Sequence, residues 1–402
     1  MQRSTHRILT THAGSLIRSP EIIEVMIARE AGEAINEADY ADILSNSVAE
    51  VVHRQAQIGL DVISDGEYGK TGWIPYIGER LTGFEPDEVS QEESEQIWPE
   101  QERFGDFYRE YGSYESTMWL PDVPSRASYK GSYSSLSFRC TGPIEYRPEA
   151  LRRDIHNFEA ALHDVEIEGA FLPVVAPCSV EVFPNEYYKT EEEYLFALAD
   201  ALRSEYQTIV DAGFVVQIDD AFLPVQRWLG MGDKSIEEYY AWAELRVEAL
   251  NHALKGIPRE MVRYHICWGS QNIPHITDIA LSDLVELVLK VNAGAFSIES
   301  ANPRHEHEWQ VWQDVKLPDG AILIPGVISH CTNVVEHPEL IALRLTTFAG
   351  LVGRENVIAG TDCGFSQYWN LVRVHTQIQW AKLEALVEGA RLASEMLWGK
   401  AA

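Results

Sequence analysis

The sequence predicts an α/β fold, specifically a (β/α)8 (TIM) barrel, from three observations. Short apolar runs alternate with amphipathic helical stretches along most of the 402 residues, the pattern of a parallel sheet. Nearly every apolar run ends in a side chain able to do chemistry: His12, Glu67, Asp219, His265, Glu299, His330 and Asp362. Hydrophobic residues make up 46% of the chain, enough for a core of that size. Functional side chains at many strand ends suit a barrel, which builds its site at the C-terminal ends of its strands. A doubly wound open sheet is the runner-up, but it would draw on a single crevice.

Strand candidates, in order, are HRILTTHAGS, LDVISDGE, SFRCTGPI, AFLPVVAP, FVVQIDD, VRYHICWG, AFSIESA, AILIPGVISH and NVIAGTDCG. That is one more than a barrel needs, so one of them is expected to form an extra strand or hairpin. Helix candidates include 40–59, 191–213, 235–254, 281–294 and 337–353, where apolar residues recur every three or four positions. The stretch 368–399 reads as a long final helix, continuous or broken. The segment near 74–138 breaks the alternation and is rich in Tyr, Ser, Glu and Pro. It reads as an excursion, an insertion or lid over the site or an oligomer contact, within a single barrel domain spanning 1–402. Its apolar and aromatic content makes a homodimer one candidate assembly.

The net charge of −30 argues against nucleic-acid or anionic-membrane partners, which select for basic patches. No apolar run approaches the roughly 20 residues that cross a bilayer, and the N-terminus lacks a signal-peptide stretch. The expectation is a soluble cytoplasmic protein. Five widely spread cysteines do not form a disulfide framework.

His265 and Cys267 lie two residues apart, so on a strand they share one face. Cys363 and Glu299 end two further strands, and in a barrel these ends converge. Two thiolates, an imidazole and a carboxylate form a tetrahedral set for Zn2+, which accepts S, N and O ligands. The competing reading is that the cysteines are small buried hydrophobes. Cys140, Cys178 and Cys331 have weaker cases. Cys331 adjoins His330, and adjacent strand residues face opposite ways.

The motifs THAGS, DGEYGK, QIDD, HIC, SIES, GVISH and GTDCG, in this order, resemble the catalytic domain of cobalamin-independent methionine synthases. That family includes short single-domain relatives and the epoxyalkane:coenzyme M transferases. The likeness runs from about residue 7 to the C-terminus, interrupted near 74–138. It implies a barrel with catalytic zinc on His265, Cys267 and Cys363, with Glu299 as a displaceable fourth ligand. Ser15 matches the family's substrate-contacting serine. Glu67 and Asp219 match the acids that hold the ammonium of homocysteine, and two carboxylates facing one site would attract an amine in any case. His330 falls near the histidine proposed to protonate the leaving group, one residue closer to PGV than in the family. The folate-stacking tryptophan has no counterpart in APCSVEVFPNEYYKT, where Phe183, Tyr187 and Tyr188 offer other aromatic faces.

These readings imply a zinc-dependent alkyl (methyl) transferase acting on a small-molecule thiol such as homocysteine, held as a zinc-bound thiolate. The alkyl donor is unnamed, with a methyltetrahydrofolate one candidate. Asp219 and His330 would be catalytic. A zinc-dependent hydrolase or lyase using a metal-bound water is the alternative. A metal-free barrel that binds a small ligand is the third.

Overall fold

The computed structural model describes residues 1–87, 99–115 and 137–399. Its strands, in chain order, are β1 (Leu9–Thr10), β2 (Val62–Ile63), β3 (Phe84–Asp87), β4 (Ser137–Cys140), β5 (Gly169–Val175), β6 (Val215–Asp219), β7 (Val262–Ile266), β8 (Ala295–Ile298), β9 (Ile322–Ile328) and β10 (Ile358–Thr361). Eight of them form one parallel sheet in the order β1-β10-β9-β8-β7-β6-β5-β2. A parallel bridge between Thr11 and Val62, with the Asp61 N–H donating to the Thr10 carbonyl at 3.2 Å, joins the two ends of the sheet. The barrel expected from the alternation is the fold observed.

The surplus strand candidate is SFRCTGPI, whose Ser137–Cys140 forms β4. It pairs antiparallel with β3, outside the barrel. β3 lies inside the excursion and carried no alternating apolar pattern that would mark it as a strand. Phe84 and Phe138 pack edge-on against each other and against Phe183, which seats the hairpin on the loop after β5. Residues 88–98 and 116–136 of the excursion lie outside the described residues. Its described remainder includes the helix Gly105–Glu115 and the turn Pro99–Glu102.

Period-two alternation positions the site. On β6, β7 and β8, Val216, Ile218, Val262, Tyr264, Ile266, Phe296 and Ile298 join the large apolar cluster beneath the helices. The intervening residues Gln217, Asp219, Arg263, His265 and Ser297 face the interior of the ring. The bottom of that interior is a small apolar cluster of Leu9, Ala295, Ile322, Ile324 and Ile358. Above it Arg263 is 2% exposed, donates to Thr11 Oγ1 at 2.9 Å and to the His12 carbonyl, and lies 4.1 Å from the Phe171 ring. The polar strand ends therefore rest on a filled core rather than a pore.

Five predicted helices are present, at Glu37–Gln57, Glu191–Asp211, Ile236–Ala253, Leu281–Val288 and Pro338–Val352. Their starts follow from sequence: Asn36, Thr190 and Ser235 each accept a backbone N–H of the first turn, and Ser235 with Glu238 forms a reciprocal capping box. The final helix runs only from Thr376 to Trp398, because His375 caps it and the preceding 368–375 is not helical. No helix among the described residues is long and apolar enough to cross a membrane.

Candidate metal centre and cavity

β7 carries His265 inward, and Cys267 follows just beyond the strand end. The β9–β10 register shifts between Gly360 and Thr361, a bulge immediately before Asp362 and Cys363. Such an irregularity re-aims the side chains that follow it. The result is that one ligand atom each from His265, Cys267 and Cys363 lie within 4.8 Å of one another.

His265 sits in register with Ser297 on β8, and its Nδ1 is 3.1 Å from the Ser297 hydroxyl. That contact fixes the ring and leaves Nε2 buried without a hydrogen-bond partner. A buried polar atom with no partner is costly and calls for an explanation. Two sulfurs and an orphaned imidazole nitrogen fit a borderline-soft cation such as Zn2+. The thiols are already polarised toward that role. Cys363 is drawn well below the ordinary thiol range, chiefly by the hydrogen bond from Cys267, with His265 adding to it against burial. The same bond, with burial, pushes Cys267 well above that range. Burial lowers the pKa of His265, but the adjacent Cys363 outweighs it and the net shift is upward.

Glu299 is not part of this trio. Its carboxylate groups with His330 and Asp362, again with ligand atoms within 4.8 Å, and all three residues are buried. Glu299 accepts from the Trp268 N–H at 3.0 Å and from Asn302 Nδ2. Asp362 Oδ1 accepts from the Ser300 and Ala301 N–H groups at 2.8 and 2.7 Å. Burial raises the pKa of both acids, Asp362 to about 6. The same desolvation lowers His330 to about 4, so its ring is neutral at neutral pH. His330 and Cys331 lie beyond the end of β9, where strand alternation no longer applies. They touch each other, Nε2 to Sγ at 3.0 Å, rather than facing opposite ways.

A cavity of about 190 Å³ opens beside the trio. Ser15, Glu67, Asp219, His265, Cys267 and Cys363 all line it, whereas Glu299 and His330 do not. Asp219 pairs in register with His265. Its pKa rises to about 7, chiefly through burial, with His265 opposing and Glu67 adding to the rise. Gln217 Nε2 donates to Asp219 Oδ1 at 2.7 Å. Glu67 holds a left-handed backbone, φ +62°, which a non-glycine residue adopts only when its surroundings enforce it. Asp65 Oδ1 accepts the Glu67 N–H at 2.9 Å, and Arg18 donates to its carbonyl at 3.1 Å. Its carboxylate also lies 3.3 Å from Lys70 Nζ. Ser15 packs so closely on Gly364 that a side chain there would collide with its hydroxyl.

His12 is turned away, its Nε2 2.7 Å from Gln55 Oε1, and Cys140 and Cys178 are buried elsewhere. Sequence reasoning overlooked Ser297, although its spacing of two from Glu299 marks it as inward-facing. It also overlooked Trp73, Phe222 and Tyr368, which form an aromatic wall of the cavity. No spacing rule links these, because they come from three segments far apart in the chain.

A profile of the family described as "Cobalamin-independent synthase, Catalytic domain" matches residues 8–98 and 182–388. The unmatched stretch begins later and is longer than the 74–138 expected from motifs. Methionine synthase from Saccharolobus solfataricus is 24% identical over 393 residues, covering 96% of this chain and 95% of that protein. Methionine synthase from Saccharolobus islandicus is 26% identical over 392 residues, covering 96% and 95%. Among solved structures, a B12-independent methionine synthase from Shewanella sp. W3-18-1 in complex with selenomethionine superposes with a TM-score of 0.68 at 17% identity, covering 97% of this chain and 99% of that one. A putative vitamin-B12 independent methionine synthase from Listeria monocytogenes gives 0.65 at 20% identity, covering 98% and 100%. These two show that the fold is shared.

Proposed function

The chain belongs to the cobalamin-independent synthase catalytic-domain family, and from that membership we propose that it transfers a methyl or other alkyl group to a small-molecule thiol at a zinc centre. The observation that carries the proposal is the convergence of one ligand atom each from His265, Cys267 and Cys363 within 4.8 Å. These three residues would hold the ion; Glu299, seated with His330 and Asp362, would reach it as a displaceable fourth ligand only by turning away from that group. Bound there, zinc would lower the pKa of an incoming thiol so that it is a thiolate at neutral pH.

The rest of the work falls to the chain. Asp219 and Glu67 supply negative charge on the cavity wall, which attracts the ammonium of an amino-acid thiol such as homocysteine. A nearby cation favours the ionised form of Asp219, so substrate binding would deprotonate it. Ser15 offers a hydroxyl across the cavity. Holding thiol and donor in line makes the displacement effectively unimolecular. His330 does not line the cavity, so protonating a leaving group would require it to act through an intervening group.

Zinc analysis with X-ray absorption tests this. One zinc per chain, lost in Cys267→Ala, is expected and would exclude a metal-free binding barrel. Adding homocysteine should exchange an oxygen neighbour of zinc for sulfur. An unchanged shell would instead support the hydrolase or lyase reading, in which metal-bound water reacts.

A further inference from the structure

The alkyl-transfer reading leaves the donor unnamed, and the cavity wall bears on it. Resting on that reading, we propose that the donor is a positively charged onium compound, a methylsulfonium or methylammonium, held over Trp73, Phe222 and Tyr368. The three rings come from segments far apart in the chain, Phe222 from the start of the helix Phe222–Leu229, yet meet at one cavity. Trp73 and Phe222 stack with centroids 6.0 Å apart and planes 21° from parallel. The Trp73 N–H donates to the Gln367 carbonyl at 2.9 Å, tying that loop to the segment bearing Tyr368. Gly72 bridges Tyr368, and a Cβ at Gly72 would stand 2.6 Å from the tyrosine ring, so the backbone makes room for it.

The electrostatics point to a cation. Among the described residues lining the cavity, the carboxylates are Glu67 and Asp219 and none is Lys or Arg; Lys70 pairs with Glu67 from behind the wall at 3.3 Å. An anionic donor tail would find no counter-charge on that wall, whereas an onium head would meet aromatic faces. The reaction balances without a proton. The acceptor thiolate forms a C–S bond to the methyl carbon, and the C–S⁺ or C–N⁺ bond breaks. Its electron pair stays on the departing sulfur or nitrogen, which leaves as a neutral sulfide or amine. Such a leaving group needs no acid, in keeping with the position of His330 away from the cavity.

The test separates charge from shape. Binding to the zinc-loaded protein is measured by calorimetry for hydroxyethyl-dimethylsulfonium, for choline, and for the neutral alcohol in which a tert-butyl group replaces the onium head. The onium compounds should bind about tenfold tighter than the neutral isostere. Trp73→Leu should erase that ratio, and Trp73→Phe should retain part of it. Loss of packing alone would weaken all three ligands equally and leave the ratio intact. Equal binding of charged and neutral probes to the unmodified protein, or an unchanged ratio in Trp73→Leu, overturns the proposal. Methyl-labelled sulfonium and ammonium donors supplied with homocysteine, read by mass spectrometry, then show which onium is used. Transfer from a methyltetrahydrofolate with none from either onium also overturns it. In the cobalt-substituted protein, homocysteine should produce a thiolate charge-transfer band whatever the donor. That band without onium binding sinks only the donor assignment, and its absence sinks the thiol reading itself.

Discussion

Ser297 shows how one hydroxyl can decide what a histidine does. By engaging Nδ1 of His265 it fixes the ring and leaves Nε2 without a hydrogen-bond partner. Partners that orient a ligand in this way typically contribute 10–100-fold to metal affinity. Ser297→Ala is therefore expected to weaken zinc binding by about that factor, measured by chelator competition, while Ser297→Thr retains most of it. An unchanged affinity in the alanine variant would show that the ring is oriented by something else. The cysteine pair makes a second residue-level prediction. Because Cys363 is acidified chiefly by Cys267, Cys267→Ala should return the Cys363 thiol toward its ordinary range in the metal-free protein. Thiol alkylation rates against pH report this directly: at pH 6 the variant should react more slowly at Cys363 than the parent.

At the scale of elements, the loop leaving β7 is braced by a buried ionic chain. His305 stacks on Trp268 with centroids 4.1 Å apart, and its two nitrogens reach Asp278 Oδ2 at 3.0 Å and Glu308 Oε2 at 2.8 Å. Burial opposes the imidazolium, but the two carboxylates overcome it and raise the pKa from 6.5 to about 10. His305 thus binds its proton more tightly folded than unfolded. Its stabilisation is complete below about pH 6.5 and is lost as pH rises through about 10. Urea unfolding from pH 7 to 10.5 should show the parent losing its advantage over His305→Gln across that window; parallel curves would contradict the assignment. The same loop is held from outside by Glu100, whose carboxylate accepts from the Ile276 and Thr277 N–H groups. The described part of the excursion therefore anchors the loop that starts at Cys267.

For the whole molecule, the consequence of the centre is mechanical. The candidate ligands lie on and just beyond β7 and just beyond β10, so an ion held there would tie together separate parts of the ring. Binding to the native state alone adds about 3–4 kcal/mol when free metal exceeds its dissociation constant by 100–1,000-fold. Zinc should raise the urea midpoint of the parent, a chelator should reverse the rise, and Cys267→Ala should show neither effect. The net charge of the chain is −30, and the described lining of the cavity repeats that sign on a small scale.

The sequence by itself determined the barrel, because period-two and period-3.6 patterns state which face of each element is buried. It also marked His265, Cys267 and Cys363, since each is a chemically unusual residue at the end of an apolar run. The apolar pattern missed β3, an edge strand whose partner lies far along the chain, and it produced one strand too many until β4 found that partner. Only the tertiary structure decided that Glu299 stands with His330 and Asp362 rather than with the thiols, and that His330 lies off the cavity. Those outcomes depend on register, on the bulge in β10 and on the paths of separate loops. The aromatic wall of Trp73, Phe222 and Tyr368 was decided there too, because contacts between residues hundreds of positions apart leave no local spacing to read.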